Sequence, residues 1–200
     1  DQNITSDTRK ISPNCIFFAL KGPNFNGNNF VSEAINKGAS YAVIDDESAE
    51  IKHKTFLVED VLTTLQDLAN YHRKQFNIPI IGITGTNGKT TTKELLGEVL
   101  NAKYKTLVTE GNLNNHIGVP LTLLKLRLNH EMAVVEMGAS KIGDIKELVE
   151  IANPNYGIIT NIGKAHLEGF GSAENIRKTK LELYDYIKTN DGTIIYNCDD

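Results

Sequence analysis

Pro79-Ile80-Ile81-Gly82-Ile83-Thr84-Gly85-Thr86-Asn87-Gly88-Lys89-Thr90 reads as a buried-type strand, a glycine-rich turn and the start of a helix. That order is what a phosphate-binding loop requires. Gly85 and Gly88 let the backbone approach phosphate oxygens without a Cβ in the way. N–H groups at the helix start point at the anion, and the helix dipole assists. Lys89 would reach the β- and γ-phosphates and the Thr90 hydroxyl would bind Mg²⁺, while Thr86, Asn87 and Thr91 complete the nucleotide-binding stretch. Ile83 occupies the place of the first glycine in G-x-x-x-x-G-K-[ST], so the pattern here is G-T-x-G-K-T. The competing reading is a glycine-rich turn that merely caps a helix.

Outward from the loop, strands are expected at 106–109, 132–137, 156–161 and 193–197. Helices are expected after the loop (Leu95, Leu96, Val99, Leu100) and at 118–127, 140–152 and 172–188. Strands alternating with helices argue for a mainly parallel sheet covered on both faces. Before Pro79, the apolar runs 15–20, 41–45 and 55–59 read as strands. A short helix at 30–38 is ended by Gly38. Residues 61–76 place Val61, Leu62, Leu65, Leu68, Ala69, His72 and Phe76 at helical spacing, with His72 a packed histidine rather than a ligand. The fold class is therefore α/β: a small N-terminal α/β domain over 1–77, then a P-loop central domain over 78–200, incomplete at its C-terminus.

In an open parallel sheet, ligands bind at the carboxyl ends of the strands. Glu136 ends an apolar run there, where a carboxylate is costly unless paired or bound to a metal such as Mg²⁺. A capping or salt-bridged glutamate is the alternative. His166, after the next strand, could ligate a metal, contact phosphate or simply be solvated. On the helix 172–188, Lys180 shares a stripe with Ile176, Leu183, Tyr184 and Ile187. Burial would lower its pKa and favour a neutral amine, which can take up CO₂ to give a carbamate, an anionic Mg²⁺ ligand. From helical phase alone, a lysine that snorkels to the surface is the better reading.

Bulk properties narrow the setting. Hydrophobic residues make up 40% and charged residues 23%, ordinary for a globular protein. A net charge of -4 offers no general attraction to nucleic acid or anionic membranes, so any phosphate must be held locally. Cys15 and Cys198 have no metal-type spacing and read as two packed thiols in a reducing, cytoplasmic compartment. No apolar run approaches a membrane span, and Asp1-Gln2-Asn3 shows no signal peptide. A start without Met and an end just after a strand suggest a piece of a longer protein. A monomer is expected.

Taken together, these residues resemble the Mur ligase family of ATP-dependent amide-bond-forming enzymes. The matching runs are Asp7-Thr8-Arg9-Lys10, Gly85 to Thr90, Gly111 to Asn115 with Ile117 to Pro120, Val135 to Gly138, Asn161 to Gly171, and Lys180 to Leu183. Within the family, the runs at 111–120 and 166–171 look most like the member that adds D-alanyl-D-alanine. The resemblance implies ATP-driven phosphorylation of the terminal carboxylate of a UDP-N-acetylmuramoyl tripeptide. The amine of D-alanyl-D-alanine then attacks the acyl phosphate. It implies two Mg²⁺ sites: Lys89 and Thr90 hold the triphosphate and one Mg²⁺ with Glu136, while His166 and carbamylated Lys180 serve the second. Asn115 or His116 would lie near the γ-phosphate. Thr8 and Arg9 match a motif at the uridine nucleotide. Asn28 stands where the family's loop usually has His, and an amide still donates and accepts hydrogen bonds.

Two other readings compete. A sister ligase would add a single amino acid, against which Asn112-Leu113-Asn114-Asn115 argues. As an isolated piece, the chain would be a nucleotide-binding module without turnover, since the family's third domain should follow residue 200. A P-loop switch or motor ATPase has only the loop in its favour.

Overall fold

The computed structural model describes residues 3–163 and 170–198. It forms two compact units that divide between Leu68 and Ala69.

The first unit is built on a parallel sheet. Strand β1 (Ile4–Thr5) pairs with β2 (Ile16–Phe18), a small antiparallel hairpin of β3 (Lys21–Gly22) and β4 (Phe25–Asn26) follows, and helix α1 (Val31–Asn36) leads to β5 (Tyr41–Ile44) and β6 (Thr55–Leu57). The sheet order is β1-β2-β5-β6. Phe17, Ala19, Ala42 and Ile44 alternate inward to meet Val31 and Ala34 of α1, as period-two strands against one helix face require. Helix α1 ends where expected, with Gly38 at φ 109 and its N–H on the Ile35 carbonyl at 3.0 Å. β1 and the hairpin, each strand two residues long, were not among the expected strands.

Helix α2 (Val61–Lys74) spans the point at which the two units divide. Its buried stripe is Val61, Leu65, Ala69 and Arg73, four residues apart each time. The last turn belongs to the second unit because its polar groups bond there. Asn70 donates to the carbonyls of Glu150 and Ile151. His72 Nε2 lies 3.1 Å from the Leu126 carbonyl and its ring packs edge-on against Phe76, so it is the packed histidine expected.

Arg73 is 6% exposed and has no carboxylate partner among the described residues. Its guanidinium donates instead to the carbonyls of Phe76, Ile78, Ala152 and Asn153 and to Asn155 Oδ1, at 2.6 to 3.4 Å. Arg73→Met would leave four buried or part-buried carbonyl groups without this donor. It is expected to lower the stability of the second unit by about 3 kcal/mol or more. A urea titration checks this, and a change under ~1 kcal/mol would show the clamp to be dispensable.

The second unit runs β7 (Ile80–Thr84), α3 (Lys89–Asn101), β8 (Thr106–Val108), α4 (Gly118–Leu123), β9 (Met132–Glu136), α5 (Asp144–Ala152), β10 (Tyr156–Ile159), α6 (Ala173–Thr189) and β11 (Thr193–Ile195). All pairings are parallel, in the order β11-β10-β7-β9-β8, so the loop-bearing strand is central. Ile81, Ile83 and Val134 face Leu96 and Leu100 of α3. Ile80, Leu107, Ala133, Val135 and Met137 face α4, α5 and α6. Both faces are thus covered, as expected.

Boundaries differ for local reasons. Helix α5 begins at Asp144 and not at 140, because the Asp144 carboxylate accepts from the N–H groups of Ser140 and Lys141, and Gly143 at φ 90 starts the helix. Leu95 and Val99 project outward from α3 at 64% and 70% exposure, so only two of its four apolar residues are core. Cys15 is buried, but Cys198 is exposed past β11 rather than packed.

Candidate functional site

Parallel register aligns three strand ends. Ile83 pairs with Glu136 and Thr84 with Ile159, so the loop after β7, the carboxylate of β9 and the segment after β10 share one edge. Thr84 fixes the first two, its hydroxyl donating to the Met137 carbonyl at 2.8 Å.

The loop is Gly85 to Gly88. Gly85 has φ 147, and a Cβ there would lie 2.0 Å from Thr160 Oγ1. Gly88 has φ 76 and caps α3. The segment after β10 holds the loop's shape. Thr86 N–H donates to the Asn161 carbonyl at 3.0 Å, and Asn87 N–H to Asn161 Oδ1 at 3.0 Å. The Asn87 carbonyl accepts from Thr160 Oγ1 at 2.6 Å and Asn161 Nδ2 at 3.1 Å. Gly163 N–H donates to Thr86 Oγ1 at 2.9 Å. Lys89 Nζ donates to the carbonyls of Gly85 and Thr86 at 2.9 and 3.1 Å, so the ammonium lies over the loop. Thr91 is exposed on the first turn of α3.

Glu136 is 1% exposed. Its Oε1 accepts from Asn114 Nδ2 at 2.7 Å and lies 3.4 Å from the Thr90 hydroxyl. Its backbone N–H donates to Thr109 Oγ1 at 3.0 Å. Oε2 is the one fully buried side-chain oxygen without a hydrogen-bond partner among the described residues. Lys93 Nζ approaches it to 4.0 Å, which supplies charge but lies beyond hydrogen-bond reach. Thr90 and Glu136 are therefore brought together as expected. The capping alternative for Glu136 does not hold, and its ion pair with Lys93 is a long one.

Lys180 is 3% exposed, so the snorkelling reading is overturned. Helix α6 lies too close for the side chain to escape: Cβ atoms at Gly82 and Gly157 would meet Leu183 and Ile187 at 3.2 and 2.9 Å. The ring of Phe170 lies 5.9 Å from the Lys180 nitrogen. Burial, with the nearby charge of Lys89, brings its pKa down to about 8. Neutral amine is then accessible at moderately alkaline pH.

His166 lies outside the described residues. Asn115 points its Oδ1 at the N–H groups of Ile117 and Gly118, at 3.1 and 2.9 Å, and so caps α4; His116 is exposed. Asn114 is the amide that reaches Glu136. Among the described residues no three His, Cys, Asp or Glu side chains converge as a ready-made cation site. Sequence reasoning missed Lys93 and Asn114. Lys93 is fully buried on the inner stripe of α3 with Gly97, the same signal of phase that marked Lys180.

In the first unit, Ser6, Asp7, Thr8, Arg9, Phe25 and Phe30 line a pocket of about 360 Å³. Asp7 accepts from Arg9 Nε at 2.9 Å and Nη2 at 2.8 Å, and these bonds hold the Asp7 pKa down to about 2. The Phe25 and Phe30 rings stack 5.3 Å apart. The pocket thus carries an exposed guanidinium paired with Asp7 and two stacked rings on its wall. Asn28 is not at the pocket wall. It is 5% exposed and its Nδ2 donates to Asn26 Oδ1 and Asp45 Oδ1, with Lys21 on Asp45 at 2.9 Å.

Residues 83–200 match the Mur ligase middle domain, and residues 2–73 match the domain described as Mur ligase family, catalytic domain. UDP-N-acetylmuramoyl-tripeptide–D-alanyl-D-alanine ligase of Bacillus subtilis is 44% identical over 196 residues, covering 96% of this chain and 42% of that protein. The ligase of the same name from Escherichia coli is 38% identical, with 98% and 43% covered. A crystal structure of MurF from Acinetobacter baumannii superposes with a TM-score of 0.89 at 38% identity, covering 97% of this chain and 43% of that one. MurF ligase from Thermotoga maritima in complex with ADP also gives 0.89, at 36% identity, with 100% and 46% covered. The chain thus spans less than half the length of these relatives.

Proposed function

Because the chain belongs to the Mur ligase family, we propose that its protein is an ATP-dependent ligase of peptidoglycan precursor synthesis, acting in the cytoplasm as a monomer. It joins D-alanyl-D-alanine to UDP-N-acetylmuramoyl tripeptide. The terminal carboxylate attacks the γ-phosphorus of ATP, ADP departs and an acyl phosphate forms. The dipeptide amine then attacks the acyl carbon, phosphate leaves, the amine gives up a proton and the amide remains. This reading is supported by the relatives' names and by the two sites above.

The observation that carries it is the lone Oε2 of buried Glu136 beside Thr90, opposite a phosphate loop. A buried carboxylate oxygen lacking a donor is costly, and hard oxygen ligands of this kind suit Mg²⁺. Thr90 and Glu136 would hold one Mg²⁺ together with phosphate oxygens; carbamylated Lys180 and His166 would serve a second. When bound, the ions screen the negative charge of phosphate and carboxylate. The chain's own residues do the rest. N–H groups at the start of α3 orient the triphosphate, and Lys89 exchanges its loop carbonyls for phosphate oxygens. Thr8 and Arg9 hold the uridine diphosphate end, with Asn28 steadying the neighbouring loop through Asp45.

The test is an amine competition with the full-length protein, ATP and UDP-N-acetylmuramoyl tripeptide. D-alanyl-D-alanine is expected to be incorporated in preference to any single amino acid by at least ~100-fold. Incorporation of a single amino acid instead would assign the protein to a sister ligase.

A further inference from the structure

Lys93 is a buried cation that the proposed reaction does not use. Its side chain has no exposed surface, and an ammonium so placed must satisfy three donors. It donates to the Thr109 carbonyl at 2.8 Å and the Gly111 carbonyl at 3.2 Å, and it forms an ion pair with Glu94 Oε1 at 2.7 Å. Glu136 Oε2 lies 4.0 Å away, beyond hydrogen-bond reach. The lysine therefore attracts the carboxylate without capping the oxygen.

Its two carbonyl partners belong to the segment that holds Glu136 from the other side. Thr109 Oγ1 accepts from the Glu136 N–H, and its backbone N–H donates to the Val134 carbonyl at 3.0 Å. Asn114 Nδ2 donates to Glu136 Oε1, and the Asn114 carbonyl accepts from Gly138 N–H at 2.7 Å. A Cβ at Gly138 would lie 2.9 Å from Asn114 Oδ1, so this contact is tight. Segment 109–114 thus reaches Glu136 by its backbone, by one carboxylate oxygen and by the residue two beyond it. Lys93 ties that segment to α3, the helix that begins with Lys89 and Thr90.

We propose that Lys93 is a positioning residue: by pinning segment 109–114 to α3 it holds the Glu136 carboxylate with Oε1 engaged and Oε2 open toward a divalent cation. The inference rests on the nucleotide and Mg²⁺ reading of the same site. It separates two roles that a buried lysine can play. A lysine acting only through its charge repels the incoming cation, and its removal would tighten Mg²⁺ binding. A lysine acting through position has the opposite effect, since a loosened segment 109–114 releases Asn114 and leaves the carboxylate without a fixed direction.

The experiment uses the full-length protein and the Lys93→Met variant. Calorimetry gives the Mg²⁺ concentration at which ADP binding is half-maximal, and hydrogen exchange follows segment 109–114 in metal-free protein. Lys93→Met is expected to raise that Mg²⁺ concentration about tenfold, to speed exchange in the segment, and to leave binding of the UDP-linked substrate unchanged. Asn114→Ala, which leaves Lys93 in place, should raise it in the same direction, and the double variant should shift it no further than the larger single one. An unchanged or lowered Mg²⁺ requirement in a folded Lys93→Met protein overturns the proposal. So does an unchanged requirement in Asn114→Ala, which decides the matter if Lys93→Met does not fold. If the parent protein shows no Mg²⁺-dependent ADP binding, the nucleotide reading itself fails. Hydrogen exchange then still tests the pinning, and unaltered exchange in 109–114 overturns it.

Discussion

Lys180→Met is expected to make the second unit more stable and to slow the proposed ligation by the full-length protein about 10³-fold. The two effects have one origin. Folding lowers the Lys180 pKa from 10.5 to about 8, chiefly through burial. At pH 7 the unfolded and folded chains both carry the proton, and the ammonium's burial opposes folding by about 3 kcal/mol. Between about pH 8 and 10.5 the unfolded chain binds more protons than the folded one, so the parent's stability rises with pH across that window. Methionine has similar reach and no charge, and it suits the stripe of Ile176 and Leu183 beneath Phe170. The variant should gain about 1–3 kcal/mol at pH 7 in urea titrations made without CO₂, with the gain shrinking toward pH 10.5.

The loss of activity follows from the same amine. In the proposed second Mg²⁺ site its nitrogen would attack the carbon of CO₂, forming an N–C bond with loss of one proton, and the resulting carbamate would offer two oxygen ligands. Methionine has no such reaction, and a missing electrostatic partner of the transferring phosphoryl group costs about 10²–10³ in rate or more. A Lys180→Met protein that is less stable at pH 7, or that ligates at the parent's rate, would overturn this account of why a lysine is buried there.

Lys89→Met is expected to reduce kcat/KM for ATP by about 10³-fold while changing stability by under ~1 kcal/mol. Lys89 lies over the loop with two carbonyls, Gly85 and Thr86, as its hydrogen-bond partners among the described residues. It is partly exposed, so those carbonyls can turn to water when the ammonium is removed. In the proposed nucleotide site the phosphate would lose the cation that Lys89 supplies. Steady-state kinetics and a urea titration on the same variant separate the two quantities. A large fall in stability would mean that the lysine holds the loop together rather than serving the nucleotide.

What the sequence disclosed depended on how local the signal was. The loop is read from six consecutive residues because strand, turn and helix start all speak through their own chemistry. Glu136 is read because a carboxylate closing Met132–Val135 has few peaceful explanations. Lys180 has a legible phase but an illegible depth, since the closeness of α6 depends on Gly82 and Gly157 in strands 98 and 23 residues away. Lys93 and Asn114 escaped because their partners come from separate segments, and because Leu95 and Val99 drew attention to the wrong face of α3. Asn115 and Asn114 are neighbours in a run of similar residues, and only the turn that leads into α4 decides which amide caps the helix and which meets the carboxylate. β1 and the β3–β4 hairpin are too short for any periodicity.

The bonds that tie Thr86 and Asn87 to residues 160–163 give the loop its shape before any anion arrives. A ligand entering such a cradle has little backbone to bring to order, and flexible loops lose much of their gross attraction to that demand. Tightness in this site should therefore be governed by how fast a nucleotide leaves rather than by how slowly the protein prepares for it. Synthetic mimics would gain most by matching a fixed template, with no allowance for the template's adjustment.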